Sequence, residues 1–308
     1  MKPEWNWMIQ KPLNALSLFD GMACGRVALE RAGIPVGKYY ASEIDKHCIK
    51  VAQSNYDDII HLGDVKNWRE WDLSDIDIIL GGSPCQGFAN QGKHLNFDDP
   101  RSKLFFDFVD IINHYKPKYF LLENVLMSRK AWTKVIDDNM GVEGVLINSK
   151  LVSAQERKRM YWANWELSQP KDRGITLSDV LEKDKTWTAS YITGRKINPL
   201  TGKREDDNPD VPYTQSLHVK DGEDKAYCLT TVQKDSMISN KPPKARIANA
   251  FVDLEKGTDW RYFTAVEAER LQTLPDGYTA SVSDNQRFKM LGNGWNVDTI
   301  VHILEEMK

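Results

Sequence analysis

Ala15-Leu16-Ser17-Leu18-Phe19-Asp20-Gly21-Met22-Ala23-Cys24-Gly25 is an apolar run that stops at a glycine-containing turn and continues into an amphipathic segment. A buried strand over 15–19 that turns directly into a helix over 24–32 accounts for that order. The alternation continues downstream. Residues 39–44 read as a strand and 46–55 as a helix, while 76–80 and 119–122 are further apolar runs separated by a helical pattern over 103–115. Short strands alternating with helices predict an α/β fold, a Rossmann-like parallel sheet with helices on both faces.

Between about 165 and 260 the periodicity fades, and Pro, Gly, Asp and Lys punctuate short segments, as in Lys196-Ile197-Asn198-Pro199-Leu200-Thr201-Gly202-Lys203. Such a composition predicts short strands and long loops, hence a smaller, irregular, strand-rich second domain. Helix signals return over 264–274 and 296–306. The expected organisation is therefore a regular domain of 1–165 and 260–308, split by an insert of 166–259.

The 308 residues are 41% hydrophobic and 28% charged, which is ordinary for a globular protein. No apolar run approaches the roughly 18 residues of a membrane span, and the N-terminus lacks the pattern of a signal peptide, so a cytosolic location is expected. Cys24, Cys48, Cys85 and Cys228 form neither close metal-type pairs nor a disulfide framework, and no metal site is expected. A net charge of −3 leaves nucleic acid undecided, because a local basic groove can bind phosphates on a nearly neutral protein.

Ligands of an open parallel sheet gather at the carboxyl ends of its strands, and the chemistry-bearing residues fall there. The turn holding Gly21 and Gly25 lets backbone N–H groups approach a ligand at a helix N-terminus, although its spacing is not G-x-G-x-x-G. Glu43, ending the second strand, suits ribose hydroxyls. Asp64 can accept from an adenine amino group, with Ile44 and Val65 as apolar walls. An adenosine-bearing cofactor fits this set. In Gly81-Gly82-Ser83-Pro84-Cys85-Gln86-Gly87-Phe88, Cys85 sits just past a strand and reads as a nucleophile. Phe120-Leu121-Leu122-Glu123-Asn124-Val125 supplies a carboxylate, and Gln155-Glu156-Arg157-Lys158-Arg159 supplies two arginines able to face the same cleft. Together they point to attack on a planar, weakly electrophilic ring.

Each signal has a plainer rival. Glycine turns are common, Glu43 and Asp45 can be helix-capping acids, Cys85 can be a small buried hydrophobe, and Glu123-Asn124 can be an ordinary cap. Arg157 and Arg159 can form one solvated face of a strand. Their occurrence together, in one order, favours the chemical reading.

That order resembles the cytosine-C5 DNA methyltransferase family. It runs through Phe19-x-Gly21, Glu43, Gly63-Asp64-Val65, Pro84-Cys85-Gln86, Glu123-Asn124-Val125 and Gln155-x-Arg157-x-Arg159. Arg261-x-x-Thr264-x-x-Glu267-x-x-Arg270-Leu271-Gln272 and Gly292-Asn293-Gly294-Trp295-x-Val297 complete it. The first turn and the Trp295 segment are similar to the animal de novo enzymes, and Ile44 stands where many relatives carry an aromatic residue. The resemblance implies S-adenosylmethionine as cofactor and S-adenosylhomocysteine as product. Cofactor contacts are then expected from Phe19, Gly21, Cys24, Gly25, Glu43, Ile44, Asp64, Val65, Pro84, Leu104, Asn293 and Trp295. It implies catalysis by Cys85, Glu123, Arg157 and Arg159, with Gln86, Asn124 and Gln155 on the substrate, and a target-recognition role for the insert.

The chemistry accounts for these residue types. C5 of cytosine is a poor nucleophile until a thiolate adds to C6, and the charge pushed into the ring is then stabilised at the pyrimidine edge. The base must be extruded from duplex DNA, at a cost of a few kcal/mol. Residues 87–100 are a candidate lid over the site. Arg195, Lys196, Lys203, Arg204, Lys220, Lys234, Lys241, Lys244 and Arg246 are candidate phosphate or base contacts. The expected setting is a monomer in a bacterial cell or phage-infected host. Cytosine methylation in RNA, a non-catalytic DNA-binding relative and a nicotinamide oxidoreductase are the alternatives. The last would give Cys85 and the arginines no role.

Overall fold

Leu16, Leu18, Ile78, Ile79, Leu80, Leu121 and Leu122 are fully shielded from solvent, as strands covered on both faces require. The computed structural model describes residues 11–83, 100–127, 130–196, 213–221, 224–231, 236–241, 246–248 and 260–307, with short pieces at 198, 200–201, 205, 208–211 and 233. Two units make up the chain. The first comprises the residues up to Ser149, Lys158–Lys171 and those from Gly294 onward, and the second comprises Lys150–Arg157 and Asp172–Asn293.

The first unit contains β1 (Leu13–Leu18), β2 (Val36–Ser42), β3 (Ile59–His61), β4 (Ile78–Gly81), β5 (Tyr119–Val125), β6 (Val145–Asn148) and β7 (Lys158–Ala163). They form one sheet in the order β3-β2-β1-β4-β5-β7-β6. β1 to β5 are mutually parallel, and β7 runs antiparallel between β5 and β6. The strand order reverses between β1 and β4, so the loops that leave these two strands flank a topological switch point, the usual place for a ligand. Helices α1 (Cys24–Arg31), α2 (Lys46–Asn55), α3 (Pro100–Tyr115) and α4 (Lys130–Met140) link the strands. α2 begins where it does because the Asp45 carboxylate accepts from His47 N at 2.9 Å. Phe105, Phe108 and Ile111 of α3 join Leu16, Leu18 and Ile79 in the core.

The second unit carries an antiparallel sheet of β8 (Thr188–Lys196), β9 (Tyr213–Val219), β10 (Met237–Ser239), β11 (Arg246–Ala248) and β12 (Trp260–Tyr262), in the order β11-β9-β8-β10-β12. Ile192, Leu217, Val219, Met237 and Trp260 form its core. Helices α5 (Leu177–Val180), α6 (Ala265–Leu271) and α7 (Asp284–Asn293) belong to this unit. The division therefore differs from the expected insert of 166–259. Residues 260–293 group with the antiparallel sheet because Trp260–Tyr262 pairs with β10, and Gln155 Nε2 donates to Leu271 O at 3.1 Å. Helical periodicity in 264–274 could not reveal which unit the helix joins.

In the first unit, α8 (Val297–Glu305) packs on α1, with Arg31 and Asp298 paired at 2.9 Å. Asn296 caps it by accepting from Thr299 N at 3.2 Å. Among the described residues no helix is long and apolar enough to cross a membrane.

A buried ion pair fixes α6. Both terminal nitrogens of Arg261 donate to the Glu267 carboxylate at 2.8 Å, and Nε donates to Asp184 at 2.7 Å. Glu267 is fully buried, and it also closes a capping box with Thr264. Replacing Arg261 by Met leaves that carboxylate uncompensated, so a loss of about 3–5 kcal/mol is expected in urea denaturation. A loss below about 1 kcal/mol, the level of a surface pair, would show that the pair does not hold α6.

Candidate active site

The turn after β1 is wound by left-handed residues, with φ of +57° at Phe19, +61° at Gly21 and +67° at Ala23. Glu43 braces it from the end of β2. One carboxylate oxygen accepts from Gly21 N at 2.8 Å, and the other accepts from Ile44 N at 2.7 Å and Asp45 N at 2.8 Å. The helix-capping role considered for this acidic stretch falls to Asp45 and not to Glu43.

Asp64 caps the 3-10 turn Val65–Glu70 by accepting from Lys66 N at 3.0 Å. Val65 was expected to wall the adenine, but its side chain packs into the core with Leu16 and Trp68. Ile44 is 73% exposed. Cys24 is buried in the first turn of α1. At Gly25 a Cβ would lie 2.8 Å from the Tyr39 hydroxyl and 3.2 Å from Leu80, so packing accounts for this glycine. Leu104, on α3, is half-buried against the core.

Asp20, which the sequence reading passed over, is 8% exposed and accepts from the Tyr39 hydroxyl at 2.6 Å through one oxygen. Its other oxygen is buried with no partner in hydrogen-bond geometry. Burial pushes the carboxyl up to about 7 against the opposing pull of the Ser17 and Tyr39 hydroxyls, and the charge of Glu43 adds to the rise. Its sequence signal was slight, one acid between an apolar strand and a glycine.

On the next pair of strands, Val125 of β5 faces Arg159 of β7 in register, which places Glu123 diagonally opposite Arg159 on the same face. Glu123 is 8% exposed, and each of its oxygens has a donor. Arg159 Nε lies 3.1 Å from Oε1, and the Trp295 indole N–H donates to Oε2 at 3.1 Å. Asn124 points elsewhere. Its amide donates to the carbonyl of Ser83 at 3.3 Å and to the Ser83 hydroxyl at 3.2 Å, which ties β5 to the residue two before Cys85. This anchoring differs from the expected substrate contact. Pro84, Cys85, Gln86 and the proposed lid lie outside the described residues, apart from the backbone of Pro100 at the start of α3.

Within the second unit, Gln155 is fully buried, bonded to Leu271 O, to Gln272 and to Leu229 N. Arg157 is 2% exposed and donates to Cys228 Sγ at 3.2 Å, to Leu229 O at 3.5 Å and to Gly292 O at 3.2 Å. Both were expected at the substrate. Their polar groups are engaged inside this unit because the chain reaches the extended β7 only at Lys158, so Arg157 and Arg159 are not neighbours on one strand face. Asn293 is exposed at the end of α7. Lys220, a candidate phosphate contact, is 8% exposed and pairs with Glu156 at 3.0 Å. Lys196 donates to Asn208 O at 2.9 Å, while Lys203, Arg204, Lys234 and Lys244 lie outside the described residues.

A mostly parallel sheet of this strand order, with a braced turn after β1 and a held carboxylate on β5, is a Rossmann-like architecture with its polar groups gathered at the strand ends. The family model of the C-5 cytosine-specific DNA methylases matches residues 13–308. The chain is 31% identical over 310 residues to the Type II methyltransferase M1.ScrFI of Lactococcus lactis subsp. cremoris, covering 95% of this chain and 77% of that one. To M.HpaII of Haemophilus parainfluenzae it is 28% identical over 330 residues, covering 97% and 90%. A crystal structure of DNMT2 from Spodoptera frugiperda superposes with a TM-score of 0.63 at 21% identity, covering 95% of this chain and 98% of that one. The chain belongs to the C-5 cytosine-specific DNA methylase family, and it is a DNA cytosine-5 methyltransferase.

The elevated Asp20 carboxyl has a consequence for stability. A carboxyl whose folded value lies above its unfolded one stabilises the fold below the unfolded value, and that stability is lost as pH rises through the folded value. Between pH 4 and about 7 the parent should therefore lose stability relative to Asp20→Asn, at about 1.4 kcal/mol per pH unit at most, and the gap should be constant above that range. Urea denaturation of both proteins from pH 4 to 8.5 checks this. A gap independent of pH would place the carboxyl at its ordinary value.

Proposed function

We propose that the protein methylates C5 of a cytosine flipped out of duplex DNA, through a covalent bond between Cys85 Sγ and C6 of the base. The observation that carries this reading is the Glu123 carboxylate, held by Arg159 and Trp295. It lies beside Gly82, three residues before Cys85 on the loop leaving β4. A Cβ at Gly82 would come within 3.1 Å of Glu123 Oε2.

The residues fit S-adenosylmethionine. Asp20 offers a buried oxygen without a partner, suited to a cationic ligand, and Glu43, Ile44 and Asp64 border the same strand ends. When bound, the cofactor supplies an electrophilic sulfonium methyl group and leaves as the neutral thioether S-adenosylhomocysteine. Cys85, as thiolate, adds to C6 and makes C5 enamine-like. Glu123 holds N3 and the exocyclic amine, and Arg159 balances the charge at O2. Loss of the C5 proton to a base then returns the electron pair to the ring and expels the Cys85 thiolate. Arg157 and Gln155 take no part in these steps, and Asn124 acts by anchoring Ser83.

The relatives are named Type II methyltransferases, and a modification setting suits this chain too. It would act as a monomer on a short double-stranded site, in the cytoplasm of a bacterial cell or phage-infected host. The second unit would carry target recognition.

Transfer of labelled methyl from S-adenosylmethionine to unmethylated duplex DNA tests the reading, with Cys85→Ala in parallel. Label recovered as 5-methylcytosine, and a loss of at least about 10⁴-fold in the variant, is the expected result. Cofactor binding without incorporation into DNA of varied sequence would overturn it in favour of an RNA substrate or a binding role.

A further inference from the structure

Trp295 was placed with the cofactor by resemblance alone, and its polar atom has a different partner. The indole N–H donates to Glu123 Oε2 at 3.1 Å, while Arg159 Nε lies 3.1 Å from Oε1. One donor therefore meets each oxygen of the carboxylate. The two donors come from opposite directions in the chain, one from β7 and one from the segment that Asn296 locks to the start of α8. Thr299 strengthens that lock by donating to Asn296 Oδ1 at 2.9 Å.

The indole also touches both glycine turns. A Cβ at Gly82 would lie 3.0 Å from Trp295 Nε1, and one at Gly25 would lie 3.6 Å from the far edge of the ring. The loop leading to the nucleophile and the first turn of α1 thus close on the two sides of a single side chain. A carboxylate held at both oxygens loses its rotation about the last side-chain bond, so its plane is set before the base arrives. We propose that Trp295 is a positioning residue for Glu123, fixing the plane in which that carboxylate meets the pyrimidine edge. The proposal rests on the role given to Glu123 above.

Single-turnover methylation by the purified full chain tests it, with Trp295→Phe, Glu123→Gln, the double variant and Gly82→Ala. Trp295→Phe removes the N–H and keeps an aromatic ring. Its rate should fall roughly 10- to 100-fold, the scale on which small misplacements act, with KM for cofactor and DNA within about threefold. In the Glu123→Gln background the same change should cost less than about twofold, since residues acting through one group are not additive. Gly82→Ala crowds the same hydrogen bond from the loop side and should reproduce the pattern, and it carries the test if Trp295→Phe does not fold.

Equal losses in both backgrounds, or a rise in cofactor KM at constant rate, would overturn the proposal and leave Trp295 as a cofactor wall. An unchanged rate in Glu123→Gln would overturn the role of Glu123 itself, and the proposal with it.

Discussion

The antiparallel pairing of β7 with β5 is the constraint on which the acid site depends. Arg159 reaches Glu123 because Val125 faces Arg159 in the ladder, and residues two apart on a strand share a face. A slip of one residue would turn Arg159 to the opposite face and leave a carboxylate, now 8% exposed, with one donor fewer. The neighbouring pair is as constrained. Gly81 ends β4 opposite Leu122, and a Cβ there would meet the Phe108 ring at 2.6 Å. The chain therefore leaves β4 against a packed aromatic wall, and Ser83 is tied to β5 through Asn124.

The two strand-end acids do different work although they follow neighbouring strands, β1 and β2. Glu43 satisfies three backbone N–H groups and so shapes the turn that a ligand would meet. Asp20 lies beneath that turn with one oxygen on Tyr39 and the other without a partner. In a low-dielectric setting an unsatisfied carboxylate is costly as an anion, which is why burial dominates its titration. A cation brought to the unpartnered oxygen would favour the charged form, as the sulfonium and ammonium groups of the proposed cofactor could. Structure and ligand thus make opposite demands on the protonation of one group.

Much of the fold was legible because local and global signals agreed. α2 coincides with the periodic run 46–55, since Asp45 supplies its cap, and α1 and α8 match their patterns to within a residue or two. β6 was not read as a strand, and β7 only as a possible solvated strand face at Arg157 and Arg159. The run Lys158-Arg159-Met160-Tyr161-Trp162-Ala163 opens with two charges, so its first half resembles a solvated segment, although Tyr161 and Trp162 are buried. The allegiance of 260–293 was illegible for another reason. Amphipathicity shows that α6 buries a face, and the ion pair of Arg261 with Glu267, the ladder of β12 and the bond from Gln155 to Leu271 show which unit it joins.

Gln155-x-Arg157-x-Arg159 shows where residue type alone misleads. All three side chains are polar and alternate, which in a strand would put them on one face toward one ligand. The strand begins only at Lys158, and the alternation breaks there. Gln155 and Arg157 direct hydrogen bonds to Leu229, Leu271, Gln272, Cys228 and Gly292. Arg159, the second residue of β7, pairs with Glu123. Buried polar groups left without partners are costly, so the first two positions demand particular residues for structural reasons as strict as any substrate contact. A motif of this kind joins the start of the second unit to β7 of the first, and only its last member stands where the proposed chemistry occurs.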